Sequence, residues 1–325
     1  MSDIRVIDEA TLRDAVKLTD ESLRVIEDGF ATLAKGGVQM PPVMRLDVTE
    51  HNGEMDAKTA YIPGSPYFAL KVSCGFFDNH KKGLPSLGGL MNVFDSETGK
   101  VAALLLDNGY LTDIRTALAG AVAAKHLARK NSKVVGVIGT GLQARLQVEA
   151  LKLVVDFDTI LVWGRDISKS QTYADDMYQK LNVSVEVRAD AQSLVEESDI
   201  IVTTTPSTFP LIHAKWLRPG QHITAMGSDA PEKNELAPDI LSRADVYVCD
   251  RRSQCESLGE LHHAIQSSSI DLETFNVIEL GEIVTGQKSG RTQDEQVTVC
   301  DLTGTGVQDT AIANYVMAKF LSSVC

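Results

Sequence analysis

The chain is short of the features that would tie it to nucleic acid, to a membrane or to a metal. Basic residues are outnumbered, 31 Lys and Arg against 44 Asp and Glu, so a formal charge of -13 offers a polyanion nothing to bind. No apolar run is long enough to span a bilayer, and the first ten residues carry Asp3, Arg5, Asp8 and Glu9 where a leader would be apolar, which points to a cytoplasmic protein. The five cysteines, Cys74, Cys249, Cys255, Cys300 and Cys325, are odd in number and scattered, with no CxxC or Cys/His spacing, so reduced thiols are expected. His262 and His263 are adjacent without an HExxH around them, and no metal site is expected. Internal repeats and low-complexity tracts are missing too, which leaves periodicity and punctuation to define the organisation.

At 325 residues and 43% hydrophobic, the chain exceeds what one core usually organises, and two domains are expected. The pattern changes near residue 130. Before it, Leu23, Ile26, Phe30 and Leu33 fall at helical spacing behind the capping candidates Thr19 and Asp20, and Gly36-Gly37 stops them. Short β-prone runs follow at Tyr67 to Val72, Leu90 to Phe94 and Val101 to Leu106, which predicts a mostly antiparallel sheet. The alanine-rich stretch Thr116 to Leu127 predicts a buried connecting helix. Beyond it, apolar strands at 134–138, 159–163, 183–187, 200–203, 222–226 and 246–249 alternate with helix-length segments, the signature of an α/β, doubly wound parallel sheet. A last helix is predicted over 307–321, placed so that it can return to the first domain.

The strand Val134 to Ile138 runs into Gly139-Thr140-Gly141-Leu142-Gln143-Ala144 and then a helical stretch. In that context GxGxxA has a physical reading: Gly139 allows the tight turn, Gly141 lets backbone approach a pyrophosphate, and Ala144 lets helix pack on strand. Free N–H groups at the helix start then hold phosphate oxygens. A dinucleotide is expected. At the end of the next strand, where NAD-binding folds place an acidic residue, Gly164 stands followed by Arg165, which favours NADP modestly and leaves NAD open; Asp166 can simply cap the next helix. Two later strand ends, Thr203-Thr204-Thr205-Pro206 and Met226-Gly227-Ser228-Asp229, are placed to line the same ligand.

Several stretches together resemble the ornithine cyclodeaminase/mu-crystallin family over essentially the whole chain. They are Gly83-Leu-Pro-Ser86 with Gly88, Leu111-Thr-Asp-Ile-Arg115, the glycine turn, Ala225-Met-Gly-Ser-Asp229 with Glu235-Leu, Leu258-Gly-Glu-Leu261, and Asp301-Leu-Thr-Gly-Thr-Gly306-Val-Gln-Asp309. Gly75 to Asn79, Leu106 to Thr112 and Cys249 to Cys255 look most like the cyclodeaminase-like member of ectoine utilisation. The resemblance implies a homodimer with an α+β substrate-binding and dimerisation domain over 1–128, completed by the C-terminal helix 307–325, and a Rossmann domain over 129–306.

It also implies roles. Arg45, Lys71 and Arg115 look like the basic residues that hold a substrate carboxylate and orient its nitrogen, and a planar arginine fork suits that task. Ser86 stands at a small-hydroxyl position of the substrate site, and Asp229 looks like the proton-transferring carboxylate, with Lys71 as the other candidate. Thr112, Gly304 and Val307 join the dinucleotide residues. The acidic residue that some members carry before a Met-Pro motif has no clear match: Ala60 occupies the expected offset, with Glu54 or Asp56 as substitutes. The expected activity is reduction of a small imino acid by NAD(P)H, in degradation of ectoine or hydroxyectoine with a dehydratase as pathway partner. A redox-neutral cyclodeaminase releasing ammonia from a diamino acid, and a non-catalytic NADPH-dependent ligand-binding protein, are the alternatives.

Overall fold

The computed structural model describes residues 4–322, and the chain divides into two compact units, one holding the sequence up to Arg115 and again from Thr305, the other Thr116–Gly304. The first begins with β1 (Arg5–Asp8), α1 (Glu9–Ala15) and α2 (Asp20–Lys35). Thr19 caps α2 through a capping box with Ser22, as its position predicts, and Leu23, Ile26, Phe30 and Leu33 are its buried stripe. Strands β2 (Met44–Val48), β3 (Gly53–Ala60), β4 (Tyr67–Phe76), β5 (Leu87–Asp95) and β6 (Val101–Leu106) follow, then α3 (Tyr110–Leu127), which starts in this unit.

The sheet order is β1-β6-β5-β4-β3-β2, antiparallel except that β1 lies parallel to β6. Opposed residues on paired strands share a face, so the register defines rows. Ile7, Leu105, Met91, Lys71 and Lys58 form one row; Gly89, Ser73, Asp56 and Arg45 form the next. Strands β4 and β5 run longer than their apolar runs suggest, because Ser73 to Phe76 and Leu87 to Gly89 pair without any hydrophobic periodicity to announce them.

The second unit supplies β7 (Val134–Ile138), α4 (Leu142–Leu151), β8 (Thr159–Trp163), α5 (Ile167–Leu181), β9 (Ser184–Val187), α6 (Ala191–Glu197), β10 (Ile200–Thr203), β11 (His222–Ala225), α7 (Asp239–Arg243), β12 (Val246–Cys249), α8 (Arg252–Cys255), α9 (Glu260–Gln266), β13 (Val277–Glu279), α10 (Leu280–Val284) and β14 (Thr298–Asp301). All eight strands are parallel, in the order β13-β12-β14-β11-β10-β7-β8-β9. This is the expected Rossmann-type doubly wound α/β sheet. Its strands read as continuous apolar runs because alternate residues feed two cores: Val135, Val137, Ile160 and Val162 face one, Ile138, Leu161, Ile201 and Ile223 the other. β13 and β14, three and four residues long, are not among the strands expected from the sequence, because so short a run carries no periodicity.

α11 (Gly306–Ser322) closes the chain and belongs to the first unit, packed on α2, β3 and β4. Its start lies so close to β3 that a Cβ at Gly306 would collide with the Thr59 carbonyl. Cys74, Cys249, Cys255 and Cys300 are free thiols, and Cys325 lies outside the described residues. Among the described residues no helix is long and apolar enough to cross a membrane.

Candidate active site

In the first unit, the row that is apolar from Ile7 to Met91 turns cationic at Lys71 and Lys58, which are 2% and 7% exposed. Buried ammonium groups need a counterion close by. The first turn of α11 brings one: Asp309, fully buried, sits with Oδ2 3.4 Å from Lys71 Nζ while its Oδ1 accepts from Arg115 Nε at 3.0 Å. Gln308 Oε1 accepts from Arg115 Nη1 at 3.4 Å and from Thr305 N at 2.8 Å. Burial drives the Lys71 ammonium down to about 7; Asp309 opposes this, while Arg115 and Lys58 add to it. Burial alone would raise the Asp309 carboxyl, yet Lys71, Arg115 and Lys58 together hold it below the ordinary aspartate value.

Arg45 lies one row away, with Nε 2.9 Å from Asp47 Oδ1 and Nη2 2.7 Å from Glu54 Oε2. Glu54 is therefore a counterion of Arg45, and the residue that faces Lys71 from β3 is Lys58 instead of an acid. Lys58 and Asp309 are the functional candidates that sequence reading passes over. Strand alternation through Asp56-Ala57-Lys58 was the available signal for one, and the last residue of the Asp301 to Asp309 motif for the other. Ser86 lies just before β5, where its carbonyl accepts from Phe76 N at 2.7 Å. Thr112 is half-buried in α3, one turn ahead of Arg115.

In the second unit, Gly139 has φ +120, and a Cβ there would come 2.6 Å from Thr204 Oγ1. A Cβ on Gly141 would meet nothing within 4 Å, so the turn leaves room above the backbone. Gly141 caps the ten-residue α4 without a side-chain hydrogen bond, and the N-terminus of that helix is the end of the turn suited to a phosphate. Ala144 is buried as the packing argument requires, Leu142 is half exposed beside it, and Gln143 Oε1 meets Gln147 Nε2 at 3.4 Å. A Cβ at Gly164 would approach Thr140 Cγ2 to 2.8 Å, so this glycine keeps the second strand end close to the turn. Arg165 is exposed, and Asp166 caps α5 by accepting from Ser168 N and Lys169 N. The residues present fit a dinucleotide.

The strand ends after β10 and β11 are joined by Glu235, fully buried. Its Oε1 accepts from Thr205 N at 2.6 Å and Thr205 Oγ1 at 2.7 Å, and its Oε2 from Thr203 Oγ1 at 2.6 Å and Gly227 N at 2.8 Å. Thr204 N bonds Ile138 O, Pro206 is exposed, and Met226 N reaches Thr203 O. Ser228 donates to the Lys233 carbonyl, which closes the turn that carries Asp229. The Asp229 side chain is 45% exposed and paired at 2.7 Å with Lys233 Nζ, a partner the sequence did not suggest. Gly304 N donates to Asp250 Oδ2 at 2.7 Å in this unit, whereas the Val307 side chain, in the other, is core with Leu33, Ala60 and Ile62. Arg45, Lys71 and Arg115 thus belong to the first unit, and Asp229 with the glycine turn to the second.

The family description "Ornithine cyclodeaminase/mu-crystallin family" matches residues 6–323. The chain belongs to this family. Alanine dehydrogenase of Archaeoglobus fulgidus is 37% identical over 306 residues, covering 93% of this chain and 91% of that one. Iminosuccinate reductase of Paracoccus denitrificans is 33% identical over 92% of this chain and 91% of its own length. Among solved structures, Delta(1)-pyrroline-2-carboxylate reductase of Thermococcus litoralis, in complex with NADH and L-proline, superposes with a TM-score of 0.93 at 28% identity over 98% of each chain. The protein is an NAD(P)-dependent enzyme of carbon–nitrogen bonds, an oxidoreductase or a cyclodeaminase-like lyase.

Proposed function

We propose that this chain reduces the C=N bond of a small imino acid with NADPH or NADH. The observation that carries the reading is the buried Lys71–Asp309–Arg115 cluster, in which an ammonium that titrates near 7 stands beside an arginine fork. The Gly139–Ala144 turn would hold a reduced nicotinamide dinucleotide, which when bound would supply the hydride. The chain's own residues do the rest. Arg115 and Arg45 hold the substrate carboxylate, Arg45 by exchanging its bonds to Asp47 and Glu54 for bonds to the ligand. Lys71 gives a proton to the nitrogen as the C=N pair moves onto it, and a donor titrating near neutrality is matched to that step. Asp229, held by Lys233, is the second proton-transfer group.

Lys58 argues against the cyclodeaminase alternative, because the distal ammonium of a diamino acid would enter a row that already presents Lys58 and Lys71. The exposed Arg165 after Gly164 supports NADP over NAD, and the exposed apolar residues Val6, Met44 and Leu46 on the sheet of the first unit support a homodimer, in line with a dimeric archaeal alanine dehydrogenase of TM-score 0.91. A cytoplasmic role in ectoine or hydroxyectoine breakdown, downstream of a dehydratase, completes the reading. The test is to mix the pure protein with each reduced cofactor and a panel of cyclic and acyclic imino acids, following cofactor absorbance. Loss of absorbance with an imino acid is expected; ammonia released from ornithine with no net cofactor change would overturn the proposal.

A further inference from the structure

Three motifs remain without a chemical role, Glu235-Leu, Gly259-Glu260-Leu and Asp301-Leu-Thr, and in the second unit their acidic side chains form a single hydrogen-bonded series. Asp301, at the end of β14, accepts with Oδ2 from Glu260 N at 2.9 Å and Leu261 N at 3.0 Å, the first residues of α9, and from the Tyr247 hydroxyl at 2.9 Å. Glu260 accepts in turn from Glu235 N at 2.9 Å, Leu236 N at 3.1 Å and Asn234 Nδ2 at 2.8 Å. Glu235 then accepts the four donors of Thr203, Thr205 and Gly227. All three carboxyls are at most 1% exposed. Each link ties a backbone segment from one strand end to the next, and the series finishes on the two segments that flank the expected cofactor, at Thr203–Pro206 and Met226–Asp229.

We infer that Asp301, Glu260 and Glu235 are a positioning relay that sets the spacing of these two segments, with Glu235 as the terminal clamp and Glu260 as its support. The inference rests on the dinucleotide reading of the second unit. Burial of three carboxyls in series is costly and tends to protonate them, as burial does for Glu260 and, up to about 7, for Asp301. An apolar side chain at any of these positions would leave buried backbone donors without an acceptor, so each carboxyl is explained by the segments it holds in place. A Cβ at Gly227 would strike the Thr205 carbonyl, so the two segments are packed backbone against backbone and a small shift at Glu235 is passed on to both.

The experiment is NADH titration, by fluorescence or calorimetry, of the full-length wild type, Glu235→Gln, Glu260→Gln and the double variant. Glutamine has the same shape but puts an NH2 against a backbone donor, so the clamp loses its pattern while its volume stays. Glu235→Gln should weaken NADH binding by about tenfold or more. Glu260→Gln, which faces neither segment, should weaken it in the same direction, and the double variant should lose less than the product of the two. Thr203→Val removes one donor and serves if Glu235→Gln does not fold; it should weaken binding several-fold. Folded variants that bind NADH like wild type, or losses that multiply independently, would overturn the relay. Wild type that binds neither NADH nor NADPH would instead overturn the dinucleotide reading.

Discussion

At the residue scale, Lys71 is the group whose surroundings decide its chemistry. Lys58 faces it from β3, Asp309 from α11 and Arg115 from α3, while Met91 from β5 is apolar. Below about 7 the ammonium is present to donate, so kcat/KM for imine reduction should be flat on the acid side and fall as pH rises through that value. Neighbouring charges set where the fall lies. Asp309 favours the ammonium, so Asp309→Asn should move the limb to lower pH; Lys58 disfavours it, so Lys58→Met should move the limb to higher pH. Lys71→Met should lose roughly 10²- to 10⁴-fold in rate, together with the limb itself. A pH profile common to wild type, Asp309→Asn and Lys58→Met would remove Lys71 from the proton-transfer role.

At the element scale, the strand–turn–helix of β7 and α4 depends on its glycines. Gly139 occupies a left-handed conformation that a side chain resists, and its missing Cβ is what allows Thr204 to approach. Gly139→Ala should therefore leave the overall circular dichroism unchanged, since α4 and β7 are held by their own cores, yet abolish measurable NADH and NADPH binding in a calorimetric titration. An Ala variant that binds normally would move the pyrophosphate away from this turn. α11 illustrates the converse dependence: its first turn delivers Asp309 and Gln308 only because Gly306 lets the helix start against the backbone of β3.

At the scale of the whole molecule, the first unit leaves one sheet face apolar. Lys71 and its row point to the helices, and the opposite face carries Val6, Met44 and Leu46, more than half exposed, with Leu70, Val72, Leu90 and Leu104 half-buried between them. A contiguous apolar sheet face of this kind is covered in stable proteins, and a second copy of the same surface is self-complementary. Light scattering should give twice the chain mass of 35.2 kDa, and Leu46→Arg combined with Val6→Arg should give the single mass. A monomeric wild type would refute the dimer.

The glycine turn, the alternation of strands and helices and Thr19 as a cap are written locally, as spacing or as residue type, and so were legible in the sequence, whereas Arg45, Lys71 and Arg115 stood out only through the family resemblance. The partners were not. That Asp309 serves Lys71 and Arg115, that Lys58 and not an acid faces Lys71, that Glu54 answers Arg45, and that Asp301, Glu260 and Glu235 stand in series depend on sheet register and on where α11 and α9 begin. A strand of three residues such as β13, or a pairing between residues 194 positions apart such as Arg115 and Asp309, leaves no local periodicity. Local propensity and pattern reach a few residues along the chain, whereas the charge environment of a buried group is set by whatever packing brings within a few ångströms, and only the folded arrangement decides that.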